Sequence, residues 1–417
     1  MYYATMMKFY REQLEQDFLP YWFAHVDEEH GGILNCINNY GDKLLAGDKF
    51  TWSQGRWLWV LGNVLQLQRR GLLKAAPEQK LIAWMDGTWD FIADHSIYDD
   101  SICCFVLTRE GEKKRDAATG RYDASIYADC FALIGMSVYV KVLGRADRYP
   151  VVEALYRSIR DRVERNDYLT QPYPVPEGFC THGIPMILLN SVHEYIHMKQ
   201  SLGLPVQEEV DYARSKLEFI LTRLYDGNGH IFEYKNMDAQ EPSTVLERHL
   251  KPGHTLEDAW FWVEFLEEFG GLEEYLPQIE KIVRNTFDIG WDQEHGGIFC
   301  FVDYQGGAPR GERFGGGQEQ LILDTWDTKL WWVHSELLYL FPKMYRVTGN
   351  PAYLSDYQKS AEYAFSVFPN RETGEWIQIR RRDGTPEDKV VALPVKDPFH
   401  IIRNFVKVME LCASPRA

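Results

Sequence analysis

Five segments of this chain set titratable and aromatic side chains at spacings suited to chemistry on a small polar molecule. They are Trp52-Ser53-Gln54-Gly55-Arg56-Trp57-Leu58-Trp59, Ser125-Ile126-Tyr127, Lys251-Pro252-Gly253-His254-Thr255-Leu256-Glu257-Asp258, Lys329-Leu330-Trp331-Trp332-Val333-His334-Ser335-Glu336 and Lys396-Asp397-Pro398-Phe399-His400-Ile401-Ile402-Arg403. His254 and Glu257 are three apart and share a helical face, so the carboxylate could fix an imidazole tautomer, bind a hydroxyl, or do both. Thr255 with Asp258 reads equally as a capping box. His254 and His400 are two bases that, facing one cavity, suit proton transfer on both faces of a carbon. Arg56, among Trp52, Trp57 and Trp59, suits a polarised oxygen, with an ordinary buried ion pair as the competing reading. Trp332 and Glu336, four apart, offer a ring for stacking and a carboxylate for hydroxyls.

The composition narrows the partners. With 45 basic and 61 acidic residues the net charge is −16, which argues against nucleic acid or an anionic membrane as the main partner. No apolar run approaches the roughly 18 residues of a membrane span, and the first residues lack a basic stretch followed by an apolar one, so no signal peptide is expected. The seven cysteines are scattered without a Cys-x-x-Cys pair, so a reduced, cytoplasmic chain is the expectation. Thirteen Trp and 24 Tyr exceed what an aliphatic core needs. Such rings suit sugar faces, although any single one is more often core.

The positioning elements follow from the period of the apolar residues. The pattern predicts helices over 6–24, 52–70, 78–95, 124–143, 150–166, 184–202, 207–225, 255–269, 273–287, 326–347, 351–368 and 398–411. Links after even helices are short, as at Gly270-Gly271-Leu272. Links after odd helices are long and carry strand-like pieces. Asp27-Glu28-Glu29-His30-Gly31-Gly32-Ile33 recurs as Asp292-Gln293-Glu294-His295-Gly296-Gly297-Ile298, with looser copies at Asp226 and Glu372, and each reads as the start of a hairpin. Twelve paired helices without a Ser/Pro-rich linker imply one all-α domain over 1–417: an (α/α)6 barrel of six inner and six outer helices, with short β-hairpins in the long loops at one end. The even helices form the inner ring, and their N-termini give the cavity mouth a positive potential.

Competing chemistries leave little trace. No His-Glu-x-x-His zincin run, no Gly-x-Ser-x-Gly elbow and no phosphate-cradling loop ending in Gly-Lys-Ser/Thr is expected, and Gly315-Gly316-Gly317 reads as a flexible loop. A metal held by His254, Glu257 and His400 is a weaker reading, because proton transfer at a sugar carbon requires none, and no metal site is expected.

Together the segments resemble the N-acylglucosamine 2-epimerase family over essentially the whole chain, with Phe105-Val106-Leu107-Thr108-Arg109-Glu110-Gly111 as a further match. The resemblance implies an (α/α)6 barrel in which His254 and His400 are the general acid/base pair, and in which Arg56, Tyr127, Glu257, Trp332 and Glu336 lie in or near the sugar pocket, with Arg403 beside them. Gly183-Ile184-Pro185-Met186-Ile187-Leu188-Leu189-Asn190 resembles the Pro-Met-rich version of the N-acylglucosamine enzymes, which places Met186 in the pocket and favours an N-acetylhexosamine. Ala392-Leu393-Pro394-Val395-Lys396-Asp397 departs from the family's Gly-Gly run, and Ile401-Ile402 from its Val-Pro. The implied reaction interconverts N-acyl-D-glucosamine and N-acyl-D-mannosamine by deprotonation and reprotonation at C2, with no required cofactor. ATP as an effector and a homodimer are compatible with the resemblance alone. Alternatives are an aldose–ketose isomerase, a 2-epimerase of mannose-type sugars or cellobiose, an (α/α)6 glycoside hydrolase using Glu257 and Glu336, and a non-catalytic sugar-binding barrel.

Overall fold

A computed structural model describes residues 2–99, 101–239, 241–313, 315–388 and 394–414. Its outer helices are α1 (2–23), α3 (78–96), α5 (Tyr149–Glu164), α7 (207–224), α9 (Leu272–Gly290) and α11 (Ala352–Val367). The inner helices are α2 (Thr51–Arg69), α4 (Ile126–Leu143), α6 (Gly183–Ser201), α8 (Pro252–Phe269), α10 (Trp331–Thr348) and α12 (Phe399–Ala413). α1, α3 and α7 each contain a π-turn, at Leu14–Phe18, Phe91–Ser96 and Ile220–Leu224.

The inner helices pack in the order α2–α4–α6–α8–α10–α12 and back to α2, so the ring closes, and each outer helix packs on an inner one. That is the expected (α/α)6 barrel. An inner helix is apolar on nearly all sides because it is covered on nearly all sides. α4 shows this best: it is long and apolar enough to cross a membrane by composition, with a mean hydropathy of 1.6, which corrects the expectation that no run approaches that length. It is nonetheless mostly buried between α2 and α6. Gly55 and Gly135 let α2 and α4 touch backbone to backbone, since a Cβ on Gly55 would lie 2.1 Å from Phe131 O.

The long links stand at the N-terminal end of the inner helices, as expected. Strands β1 (Lys49–Phe50), β2 (His249–Leu250) and β3 (Lys329–Leu330) each run into an inner helix, and each pairs antiparallel with a strand from another link. The recurring Asp hairpins close alike: Asp27 N donates to Gly32 O at 2.9 Å and Asp292 N to Gly297 O at 2.8 Å. Their carboxylates then do a job the spacing did not announce. Asp27 binds Lys49 Nζ at 2.9 Å and takes a two-bonded fork from Arg109. Asp292 does the same with Lys329, at 3.1 Å, and Arg382. Each clamp fixes the strand that launches an inner helix. Among the expected helix starts, 326 was too early: Lys329–Leu330 pairs with Ile379–Arg380, and the helix begins at Trp331. A short helix at Gly317–Thr325 occupies the link read as a loop.

His334 completes the second clamp. Its Nε2 accepts from Ile298 N–H at 2.9 Å and its Nδ1 donates to Leu330 O at 2.7 Å. In the first clamp Gln54 takes the matching place, its Oε1 accepting from Ile33 N–H at 2.8 Å. Burial lowers the His334 pKa to about 3, so its contribution is whole above the ordinary value near 6.5 and is lost as pH falls through that window. His334→Gln should therefore keep the fold and lose less thermal stability than wild type between about pH 7 and about pH 5. Melting curves at both pH values check this, and an unchanged pH dependence would contradict it.

Candidate active site

At the hairpin end the inner helices surround a chamber of about 320 Å³ lined by Trp52, Arg56, Tyr127, Met186, His254, Glu257, Trp332, His400 and Arg403, among others. Trp332 is part of its wall. The His254 ring centroid lies 5.6 Å from that indole and the His400 centroid 5.4 Å from it, so the two imidazoles flank one aromatic surface. Gly253 makes room: a Cβ there would stand 2.5 Å from Trp332 Cη2.

Both imidazoles are held by the same device. His254 Nδ1 is 3.0 Å from each oxygen of Glu233, and His400 Nδ1 is 2.7 Å from Glu336 Oε1. A carboxylate on Nδ1 keeps the proton there and leaves Nε2 with its lone pair free to act as base. Burial lowers the His254 pKa to about 4 against the pull of Glu233, so this imidazole is neutral at pH 7. Burial also opposes ionisation of Glu233, but His254, His182 and Lys251 hold it well below the usual range. Glu336 is likewise held ionised, at about 2, by Arg403 and His400 despite burial.

Arg403 of α12 bonds both Glu257 and Glu336 and stacks 4.6 Å from the Phe399 ring. Arg56 pairs with Asp397 and lies 3.9 Å from the Phe131 ring. Its aromatic neighbours are thus Phe131, Trp52 and Phe399. Trp57 and Trp59 do not join them, being buried in the barrel wall, where Trp59 Nε1 donates to Glu194 at 2.7 Å. Burial and the neighbouring Glu336 charge push the Glu257 pKa up while Arg403 opposes them.

The profile of N-acylglucosamine 2-epimerase (GlcNAc 2-epimerase) matches residues 208–403. The N-acylglucosamine 2-epimerase of Bos taurus is 30% identical over 397 residues, covering 94% of this chain and 88% of its own length. The chain belongs to the N-acylglucosamine 2-epimerase family. It is a carbohydrate epimerase, an isomerase. The Mus musculus relative of the same name is 29% identical, with 95% and 90% covered. The fold is shared with a sugar epimerase from a ruminal bacterium at a TM-score of 0.76 and 20% identity, covering 97% of this chain and 98% of that one.

Within this family member, the sequence-predicted site residues fall into two sets. Arg56, Tyr127, Met186, His254, Glu257, Trp332, His400 and Arg403 reach the chamber wall. Glu336 lies beneath it, fully buried, and is spent on His400, Arg403 and Trp260 Nε1 rather than on a ligand hydroxyl. The partner of His254 is Glu233, and Glu257 turns instead to Arg403 and to His400, whose Nδ1 is 3.6 Å away. No capping box forms at Thr255, because the helix starts at Pro252; the capping box is at Thr244 with Glu247. The metal triad weighed from sequence does not assemble either. His254 groups with His182 and Glu233, and His400 with Glu257 and Glu336.

Three lining or supporting residues escaped the sequence reading. Glu233 directly follows the loose hairpin at Asp226. Lys251 precedes α8 and lines the chamber. His182 sits at the N-cap of α6, bonded to Asp258 at 2.8 Å. Burial would lower the His182 pKa, but Asp258 and Glu233 raise it to about 9. Only its place at an inner-helix start could have signalled it. Ala392 and Leu393, in the loop read as departing from the family, lie outside the described residues.

Proposed function

We propose that this enzyme interconverts an N-acyl-D-glucosamine and the matching N-acyl-D-mannosamine by inverting C2. The observation that carries the reading is the pair of Nδ1-clamped imidazoles flanking Trp332 in one chamber. The opened sugar presents C2 between the two Nε2 atoms. One neutral imidazole takes the C2 proton, the C2–H pair moves into the C1–C2 bond, and the aldehyde oxygen becomes an enolate oxygen while the acylamino group stays on C2. Arg56 and Lys251, with the N-termini of α2 and α8, offer positive charge to that oxygen. The other imidazole, protonated, delivers its proton to the opposite face, and the aldehyde returns. Stabilising the oxyanion is as important as the bases because an α-carbon proton is a weak acid. The proton balance closes with these side chains and calls for no redox cofactor.

The substrate assignment follows the names of the mammalian relatives and the Met186 wall of the chamber, where an acyl methyl would find an apolar surface. Seven free cysteines suit a reducing, cytoplasmic setting. Incubation of N-acetylmannosamine with the enzyme in D2O, followed by NMR, tests the proposal. The expected product is N-acetylglucosamine with deuterium at C2. Conversion of mannose, which carries a C2 hydroxyl, into a ketose as main product would place the reprotonation at C1 and make the enzyme an aldose–ketose isomerase. Exclusive turnover of mannose or cellobiose would overturn the acyl assignment.

A further inference from the structure

The inner-ring helix α6 carries His193-Glu194-Tyr195-Ile196-His197, a His-Glu-x-x-His run that sets two imidazoles on one helical face. It stands at the opposite end of the barrel from the chamber, which faces the first turns of the same helix. Both Nε2 atoms converge on a single oxygen of α8: His193 Nε2 is 2.9 Å and His197 Nε2 2.8 Å from Glu268 Oε2. The two rings lie 4.4 Å apart, and the three donor atoms fall within 4.8 Å of one another.

The surroundings are built. His193 is buried, its ring 5.7 Å from both Phe265 and Phe269. The side chains of His197 and Glu268 are 30% and 33% exposed, which opens the cluster to solvent on one side. Behind His197, Glu194 Oε2 lies 3.7 Å from Nδ1. Glu194 is itself fixed by Trp59 Nε1 at 2.7 Å and by Lys141 at 3.5 Å. A carboxylate behind a ligating imidazole is the usual device for setting its tautomer and raising its basicity.

We propose that His193, His197 and Glu268 bind a divalent transition-metal cation of the zinc type. Two imidazole nitrogens and one carboxylate oxygen are donors that zinc accepts, and three protein ligands leave the solvent side for water. Two nitrogen donors disfavour magnesium and calcium, which prefer oxygen. On binding, the Nε2 protons that bond Glu268 are displaced: His193 keeps its one proton, now on Nδ1, His197, held protonated by Glu194 and Glu268, releases its Nε2 proton to solvent, and each ring gives its Nε2 lone pair to the cation. The two N–H···O bonds to Glu268 are exchanged for three metal–ligand bonds. The cation then ties α6 to α8 at the barrel end where, among the described residues, no hairpins join neighbouring helices. His193–His197 corrects the expectation that the chain holds no His-Glu-x-x-His run.

The test uses the full-length enzyme stripped with a chelator and titrated with Co2+ as a spectroscopic stand-in, then with Zn2+. One equivalent of Co2+ should bind with visible ligand-field bands, Zn2+ should displace it, and both should raise the melting temperature. His197→Ala should lose the bands and the thermal shift while epimerising at the wild-type rate. Glu268→Gln, which keeps a hydrogen-bond acceptor for the imidazoles, should bind Co2+ at least about 10-fold more weakly. Absence of stoichiometric Co2+ binding by the wild type would overturn the proposal. So would an unchanged Co2+ spectrum in His197→Ala, which would place the cation in the chamber instead.

Discussion

His254→Asn and His400→Asn should each cut epimerisation by about 10³–10⁴-fold, the upper range for a positioned acid or base. The loss should not be uniform for every step. Each variant keeps one imidazole and the same oxyanion surroundings, so it can still remove and return a proton on one face. In D2O one variant should wash deuterium into C2 of the N-acylmannosamine epimer, and the other into the N-acylglucosamine epimer, without forming the opposite epimer. The flanking geometry about Trp332 demands this division. NMR of each epimer with each variant checks it. Near-wild-type epimerisation by either variant, or exchange of both epimers by the same one, would sink the two-base assignment.

Glu233→Gln should lower kcat by about 10²–10⁴-fold with KM little changed, because the amide no longer imposes Nδ1–H on His254. With the other tautomer allowed, Nε2 carries the proton and faces C2 as a donor, useless as a base. The buried Glu233 carboxylate also lies 3.7 Å from His182 Nδ1, so a small loss of melting temperature should accompany the change. Glu233→Asp keeps the charge and should recover part of the activity, whereas a purely structural role would show no such ordering. Steady-state kinetics with both variants, beside their melting curves, separates the two.

The helical period of the apolar residues, the alternation of short and long links and the recurring Asp hairpins made the barrel legible. Each is a local signal: an apolar stripe of period 3.6, a turn residue, a repeated spacing. The two histidines were legible for the same reason, as each opens an inner helix, and inner-helix N-termini in a closed ring face one mouth. Lys329 and Asp292 show where that reading ends. Their pairing across 37 residues moved a helix start by five positions, because the strand that the clamp anchors outweighed the helical pattern of its sequence.

The sequence by itself thus determined most of the side chains singled out at the chamber, through their helical phase and their position at helix starts, but not that Glu336 falls beneath it or that Lys251 lines it. Tertiary structure alone decided what each one pairs with. Glu233, 21 residues before His254, arrives from a neighbouring link, and Glu336, 64 residues before His400, from the adjacent inner helix. Glu257, only three residues from His254, turns away to the buried charge of Arg403. A carboxylate in a low-dielectric interior goes to the cation that best offsets its desolvation, and only the closed ring sets which cation is within reach.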